Sequence, residues 1–349
     1  MCGIFAILNK NCLDENIIKN FSKISNRGPE FSKIYMENNN VIGFHRLSIN
    51  GINEKSNQPF DIDNIILICN GEIYNYAKLY DDLKITPTTD SDCEIIIHLY
   101  KLFGINYTLK CLDGVFSFLL YDKNINEIYI ARDPYGVRPL YTYSNYNNSI
   151  YISSNLKGIY DFYNQDIKGL LVDSLNSSFD YNTINYDNFD LKINQFIPGS
   201  YSKYTYNNIK NNFFYSSNTK YTNFIFNTIK INDKNMIYNL LCNYLCDAVK
   251  RRVIGTSERP IGCLLSGGLD SSLICALVNL YYKNSNSKLK TFSIGLNGSE
   301  DLKYAKIVAE YLNTDHHEII LSEDQFFDSI EEVIKTIESY DTKIGRAHV

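Results

Sequence analysis

From about residue 260 onward, strand-like and helix-like segments alternate strictly along the chain. The strand-like runs are IGCLL, KTFSIGL and HHEIIL, and a segment with helical periodicity follows each of them. This alternation requires right-handed crossover connections, so it predicts a parallel, doubly wound α/β sheet. It restricts the fold more strongly than any other feature of the sequence.

Up to about residue 204, short strand-like runs dominate instead. They are bounded by Gly, Asn, Asp and Pro, which is typical of antiparallel hairpins. The runs are CGIFAIL, VIGFHRLSI, NIILICN, VFSFLLY, EIYIAR, PLYTYS and SIYISS. Helical patterns interrupt them at DENIIKNFSKI and DCEIIIHLYKLF, and acidic residues at the start of the second suit a helix N-terminus. This half is therefore predicted to be α+β.

The change of pattern divides the chain into four predicted segments. Residues 2–205 form the α+β domain, 206–232 an asparagine-rich linker, and 233–343 part of the α/β domain. Residues 344–349 (IGRAHV) translate a base string found in common sequencing adapters. We expect this tail to be an assembly artefact and the natural gene to be longer.

Composition and charge exclude several classes of partner. The net charge of -5 and the pI near 5.6 lack the basic excess that binds nucleic acid. The first apolar run ends at Asn9 without the features of a signal peptide, and no stretch is long enough to span a membrane. Nine cysteines without framework spacing predict reduced thiols and a cytoplasmic protein. Cys242 and Cys246 are expected in the core rather than at a zinc site.

The junction LLSGGLDSS, residues 264–272, connects a predicted strand to a predicted helix. Adjacent glycines permit a tight turn with accessible N–H groups, Ser271 and Ser272 add hydroxyl donors, and helix N-termini bind anions. The Gly-Lys-Ser/Thr ending of nucleoside-triphosphatase loops is missing. Asp270 beside these amides indicates a magnesium ion that bridges phosphates. An ordinary tight turn is the alternative.

Cys2 stands directly behind the initiator methionine, in MCGIF. If Met1 is removed, Cys2 carries a thiol and a free α-amine on one carbon, which together are a nucleophile and a base. A thiol with a pKa of about 8.5 can give its proton to an amine with a pKa of about 7.7 near neutral pH, so no histidine is required. The alternative is a small hydrophobic residue at the start of a strand.

Three further stretches, NRGPE (26–30), NGEIYN (70–75) and SDCE (91–94), make the first half resemble class II glutamine amidotransferases, which are N-terminal-nucleophile hydrolases. The Ser-Gly-Gly-x-Asp-Ser pattern resembles the pyrophosphate-binding loop of ATP pyrophosphatases. With RDPYGVRPLY (132–141) and IPGSY (197–201), the combination resembles the glutamine-hydrolysing asparagine synthetase family across essentially the whole chain. The resemblance implies an αββα sandwich of antiparallel sheets, followed by a partial parallel-sheet domain.

The resemblance also implies roles for single residues in the first half. Cys2 would attack the side-chain amide of glutamine, and Asn70 with the Gly71 amide would form the oxyanion hole. Arg46 would bind the α-carboxylate of glutamine, Asp92 its α-amine, and Glu72 would also contact the substrate.

For the second half, the resemblance implies ATP as a substrate, Mg²⁺ as a cofactor and Asp270 as its ligand. The residues implied to bind ATP or pyrophosphate are Leu265, Ser266, Gly267, Gly268, Asp270, Ser271, Ser272, Ser293, Ile294 and Gly295. The implied reaction makes asparagine from aspartate through β-aspartyl-AMP, releases AMP and pyrophosphate, and uses ammonia from glutamine. We expect the 349 residues to retain only the glutaminase chemistry. The family is also compatible with a homodimer.

Several alternatives remain open from the sequence. Arg46 and Asp92 could form surface ion pairs, Glu72 could be a solvated strand end, and His45 could pair with Cys2 instead of packing in the fold. For the whole chain, the alternatives are a stand-alone glutaminase, another class II amidotransferase, or a non-catalytic relic that binds glutamine or ATP.

The chain also departs from the family pattern at a few positions. They are Asn26 and Glu30 in NRGPE, Asp90 before SDCE, and Asn155 in SSNLKGI. An extra charge at Asp90 could shift the affinity for glutamine, and Asn155 could alter communication between the domains.

Overall fold

The computed structural model describes residues 1–176, 192–222, 233–256, 258–282 and 287–338, with side chains of 170–176 excepted. The chain divides into two compact units, Met1–Ile225 and Phe226–Val349. The predicted tail at 344–349 and the last part of the predicted linker, 223–232, lie outside the described residues.

The first unit contains two antiparallel sheets and the helices that cover them. Its elements are β1 (Gly3–Leu8), α1 (Glu15–Ser22), β2 (Phe31–Glu37), β3 (Asn40–Arg46), β4 (Phe60–Ile62), β5 (Ile65–Ile73), α2 (Tyr76–Leu83), α3 (Ile95–Cys111), β6 (Gly114–Asp122), β7 (Glu127–Arg132), β8 (Tyr141–Ser144), β9 (Ile150–Ser153), α4 (Tyr160–Asn176), β10 (Asn194–Gln195), β11 (Ser200–Asn207) and β12 (Asn212–Lys220). The strand orders are β10-β8-β9-β1-β3-β2 and β12-β11-β7-β6-β5-β4.

Alternation along the strands shows how the layers are stacked. In β1, Ile4 belongs to the core between the two sheets, whereas Phe5 packs with residues of α1 and α4. In β5, Ile66 faces the other sheet and Leu67 packs with residues of α2 and α3. Since successive side chains of a strand point to opposite faces, both sheets are buried on both faces. The predicted αββα sandwich is confirmed.

The first unit extends beyond residue 205. β11 continues to Asn207, and β12 pairs with it antiparallel, with Phe213 opposite Tyr206. Phe213 is 2% exposed in the core between the sheets. The predicted linker 206–232 therefore contains an edge strand, which its asparagine-rich composition conceals because only alternate residues need to be apolar.

The second unit contains a parallel sheet with intervening helices, as predicted. Its elements are α5 (Lys234–Gly255), β13 (Gly262–Leu264), α6 (Leu269–Tyr281), β14 (Lys290–Leu296), α7 (Glu300–Leu312), β15 (Asp315–Leu321) and α8 (Glu323–Ile337). β13 and β15 both pair parallel with β14. The order β13-β14-β15 follows the chain, so the described strands include no reversal of the kind a doubly wound sheet contains.

The core of the second unit is small. It is formed by α5, α6 and α7 around residues such as Val249, Cys275 and Ala305. Val249 and Val253 are the buried residues of α5, and the preceding part of that helix is largely exposed. The expectation that Cys242 lies in the core is therefore wrong, because Cys242 is exposed, whereas Cys246 is partly buried. Within the described residues, no helix is both long and apolar enough to cross a membrane.

Candidate functional site

One cavity of the first unit, which we call the Cys2 pocket, gathers the residues of that unit to which the resemblance assigns a role. They are Cys2, Arg46, Asn70, Gly71, Glu72 and Asp92, and Arg138 lines the same cavity. These residues come from the start of β1, the end of β3, the second half of β5, and the turn before α3. The fold of the two sheets thus brings together residues as distant in the chain as Cys2 and Arg138.

Cys2 is held at both its main chain and its side chain. Its carbonyl oxygen accepts a hydrogen bond of 2.8 Å from Arg27 Nε, and its Sγ donates to the Leu47 carbonyl oxygen at 3.5 Å. Burial raises the pKa of the Cys2 thiol. A raised pKa keeps the thiol protonated near neutral pH, so proton transfer from the thiol to a base is expected to accompany attack rather than precede it.

Asn70 carries an unused hydrogen-bond donor. The residue is 1% exposed, and its Nδ2 atom has no partner among the described residues. A buried donor without a partner costs about 1–3 kcal/mol, so its persistence at a pocket with a thiol points to a ligand acceptor. At Gly71, an added Cβ would lie 2.7 Å from the carbonyl oxygen of Val115, so only glycine fits.

Arg46 is buried, and its guanidinium is held by neutral oxygens. Nη1 donates to the Asn53 carbonyl at 2.9 Å and to Asn57 Oδ1 at 2.6 Å, while Nη2 donates to the carbonyls of Asn50 and Gly51. Arg46 is 5% exposed, which excludes a surface ion pair. Its partners fix the side chain without neutralising it, so its charge remains available to an anionic group.

Two carboxylates of the pocket are held in different ways. Asp92 is 5% exposed and accepts a hydrogen bond of 2.7 Å from the Ile73 N–H and another from the Asn50 side chain. Burial is the main reason that the pKa of Asp92 rises to about 6. Glu72 instead forms a 2.6 Å ion pair with Arg138. Glu72 is therefore not a solvated strand end.

His45 does not pair with Cys2. Its Nε2 lies 3.0 Å from the Phe21 carbonyl oxygen and its Nδ1 lies 2.6 Å from Ser32 Oγ. The ring also stacks on Phe21 with centroids 3.8 Å apart. Because a carbonyl can only accept, Nε2 carries the proton and Nδ1 accepts from Ser32. His45 thus packs in the fold.

In the second unit, the glycine-rich loop 264–272 leads from β13 into α6. Gly267 has φ +80, and a Cβ there would lie 2.5 Å from the Ala305 nitrogen of α7. Gly268 is the N-cap residue of α6, and because it has no side chain it cannot accept a hydrogen bond from the N–H groups of the first turn. The hydroxyls of Ser271 and Ser272 donate to the Gly268 carbonyl at 3.1 and 2.7 Å. The loop therefore offers backbone N–H groups rather than free serine hydroxyls.

The remaining residues implied to bind nucleotide lie within this loop or on β14, the strand that pairs with β13. Leu265 is 1% exposed and donates its N–H to the Phe292 carbonyl at 2.8 Å, which ties the loop to β14. Ser266 Oγ lies 3.0 Å from Ser271 Oγ. Ser293 Oγ lies 3.3 Å from His316 Nε2, and Ile294 is 56% exposed. At Gly295, a Cβ would lie 2.7 Å from Ser299 Oγ.

Comparison with known proteins bears on both units. Residues 1–215 match the family described as glutamine amidotransferase domain, and residues 241–348 match the family described as asparagine synthase. The chain belongs to the glutamine amidotransferase family.

Relatives of this amidotransferase chain include glutamine-hydrolyzing asparagine synthetases. The protein of Rattus norvegicus is 33% identical over 100% of this chain, and that of Homo sapiens is 32% identical over 100% of it. The chain spans 61% of the length of each of these relatives. The solved glutamine phosphoribosylpyrophosphate amidotransferase from B. subtilis aligns with a TM-score of 0.46 and 15% identity, over 94% of this chain and 70% of that one.

Three of the residues at which the chain departs from the family pattern have identifiable contacts. Asn155 Oδ1 accepts a 3.1 Å hydrogen bond from Arg27 Nη1, so it supports the side chain that holds Cys2. Asp90 does not line the Cys2 pocket, and its Oδ2 accepts a 2.6 Å hydrogen bond from Asn53 Nδ2. Glu30 Oε2 accepts from the Ser48 N–H at 2.8 Å.

Two further residues belong to the pocket although the sequence motifs did not predict them there. Asn50 bonds Asp92 and follows the Arg46 segment directly, but no motif marks it. Arg138 lies within the motif RDPYGVRPLY, but the motif does not indicate which of its residues reaches the pocket.

Proposed function

We propose that the first unit hydrolyses glutamine to glutamate and ammonia. The observation that carries this proposal is the set of groups around Cys2. Arg46 offers a positive charge, Asp92 offers a carboxylate, and Asn70 offers an unpaired N–H donor. A zwitterionic amino acid with a side-chain amide complements all three groups, because it brings a carboxylate, an ammonium and a carbonyl that becomes an oxyanion.

The reaction follows from these positions after removal of Met1. The α-amine of Cys2 takes the proton of the thiol as the sulfur attacks the amide carbon of glutamine. Asn70 Nδ2 and the Gly71 N–H stabilise the oxyanion, and the amine then gives its proton to the leaving ammonia. Water hydrolyses the resulting thioester and releases glutamate, which restores the thiol.

We propose further that the whole protein uses this ammonia to make asparagine from aspartate and ATP through β-aspartyl-AMP. The loop 264–272 supports this, because its N–H groups suit the phosphates that leave as pyrophosphate. Asp270 is exposed in the first turn of α6, and one carboxylate suits a Mg²⁺ ion whose other ligands are phosphates and water. When bound, the ion would neutralise phosphate charge. The described residues contain no group of three metal-ligating side chains.

The test supplies the purified 349-residue protein with ATP, Mg²⁺, aspartate and either glutamine or ammonia, and assays glutamate, asparagine and pyrophosphate separately. We expect glutamate to be the only product. The motifs supply residues for glutamine and for pyrophosphate, but none of them is assigned to aspartate. Absence of glutamate would overturn the glutaminase proposal. Asparagine at a normal enzymatic rate would show that these residues also hold the aspartate chemistry.

Intact mass gives a second test of the mechanism. Active protein should lack Met1, because only then is the amine of Cys2 free. Protein that retains Met1 and still hydrolyses glutamine would show that another group is the base.

A further inference from the structure

Arg138 and Glu72 form a largely buried ion pair at the Cys2 pocket. Arg138 Nη2 lies 2.6 Å from Glu72 Oε1, and the two side chains are 10% and 15% exposed. Both residues line the cavity with Cys2. Arg138 has no role in the proposed hydrolysis, although burying its charged guanidinium costs free energy.

The turn that carries Arg138 is built to fix its backbone. Asp133 is 0% exposed, and its carboxylate accepts hydrogen bonds from the N–H groups of Tyr135, Val137 and Arg138 at 3.0 to 3.1 Å. Arg132 Nε donates to the Arg138 carbonyl at 2.7 Å. Both the N–H and the C=O of Arg138 are therefore held by buried charged side chains.

Further contacts of Arg132 tie this turn to the fold. Its Nη2 donates to the Gly136 carbonyl at 2.6 Å and its Nη1 to the Phe196 carbonyl at 2.7 Å. Gly136 has φ +66, and a Cβ there would lie 2.7 Å from Pro198. The segment 132–138 thus forms a rigid support whose side chain at 138 enters the pocket.

Charge at this position acts on the reacting thiol. The charged and titratable groups that interact with Cys2 include the Met1 amine, Arg46, Cys69, Cys93 and Arg138. Arg138 lowers the pKa of the thiol, and so opposes the effect of burial. Arg138 Nε is buried without a partner among the described residues.

We propose that Arg138 is a positioning residue for glutamine hydrolysis, whose guanidinium fixes Glu72 at the pocket and places a positive charge beside Cys2. This inference rests on the proposed glutaminase function. Asp92 is then the carboxylate left to bind the ammonium of glutamine, while Glu72 is held by Arg138. Arg138 acts through Glu72 and through its charge, without bonding to the reacting atoms.

The first measurement is the pH dependence of Cys2 alkylation by iodoacetamide, followed by peptide mass spectrometry that separates Cys2 from the other eight cysteines. Arg138→Met should move the midpoint upward by about half a pH unit or more, since a nearby positive charge stabilises the thiolate. Arg138→Lys should keep the wild-type midpoint. An unchanged midpoint in Arg138→Met would overturn the electrostatic part of the proposal.

The second measurement separates KM from kcat for glutamine. Arg138→Lys retains charge but not the geometry of a guanidinium, so we expect KM to rise about tenfold through a displaced Glu72, with kcat less affected. Glu72→Gln should raise KM similarly, and the double variant should add little. Wild-type KM in Arg138→Lys would overturn the positioning role.

Two controls keep these outcomes interpretable. Lys203→Met breaks a 2.6 Å ion pair with Glu127 on the second sheet and should change neither measurement. Circular dichroism and melting curves identify variants that fail to fold, and in that case Arg138→Lys still decides the proposal. Alkylation needs no turnover, so wild-type protein without glutaminase activity would contradict the proposed function while still testing Arg138.

Discussion

The two candidate sites are built from different parts of the polypeptide. In the Cys2 pocket, Arg46 and Asp92 are each 5% exposed and are oriented by hydrogen bonds from or to their surroundings. In the loop 264–272, the serine hydroxyls bond locally and Leu269 is 84% exposed. The pocket therefore depends on individual side chains, whereas the loop depends on the path of its backbone.

The cores of the two units also differ, because apolar side chains are more completely buried in the first unit than in the second. Ile68 on β5 is 0% exposed between the two sheets, whereas Ile320 on β15 is 53% exposed. On α8, no residue is buried, and Phe327 is 70% exposed. The first unit buries its sheets on both faces, and in the second unit much of the described apolar surface is open.

Removal of the nucleophile should have the largest effect and should separate the two sites. Cys2→Ala should lower the rate of glutamate formation by more than about a thousandfold, because the other cysteines of the pocket have no free α-amine to act as the base. ATP affinity, measured by calorimetry, should stay unchanged. The exposed Cys12→Ala is the control for loss of a thiol. Weaker ATP binding in Cys2→Ala would contradict the separation.

Loss of the oxyanion donor should have the next largest effect. Asn70→Ala should lower kcat about a hundredfold to a thousandfold with little change in KM, because the donor acts on the transition state. Steady-state kinetics with glutamine measure this, and exposed Asn147→Ala provides the comparison. A rise in KM alone would indicate that Asn70 binds the ground state of the substrate.

A matched pair of core substitutions tests the difference in packing. Ile68→Ala should lower the local free energy of unfolding by about 3 kcal/mol, because it leaves a cavity in a closed core. Ile320→Ala should cost less than about 1 kcal/mol, since that side chain is already half exposed. Hydrogen exchange of the peptides that contain β5 and β15 measures both values. Equal costs would show that the second unit is as well packed as the first.

The pH dependence of glutamine binding should be the smallest effect. Because the pKa of Asp92 is raised to about 6, its carboxylate gains a proton as the pH falls through that value and no longer attracts the substrate ammonium. We expect kcat/KM for glutamine to fall about tenfold per pH unit below about pH 6. Asp92→Asn should have a low kcat/KM without that fall, and the exposed Asp81→Asn should behave as wild type. A profile that stays flat to pH 5 would assign the ammonium to another group.

The sequence predicted the fold class of both units, since strand and helix periodicities are local properties of the chain. Strand boundaries of β7 coincide with the run EIYIAR, and the parallel order of β13, β14 and β15 follows from the strand and helix alternation. β12 escaped this reasoning because an edge strand needs few apolar residues, and Cys242 was misplaced because a helical pattern does not reveal which elements cover it.

The motifs also nominated Cys2, Arg46, Asn70 and Asp92 by residue type, and the structure places all four around one cavity. Only the tertiary structure decided their surroundings. Burial determines the direction of the pKa shifts at Cys2 and Asp92. The pairing of β1 with β3 and the packing of their sheet on the sheet that contains β5 determine which distant residues meet. Arg138 reaches Glu72 across 66 positions because a buried turn directs it there, and such a contact is a property of the folded chain that no local pattern contains.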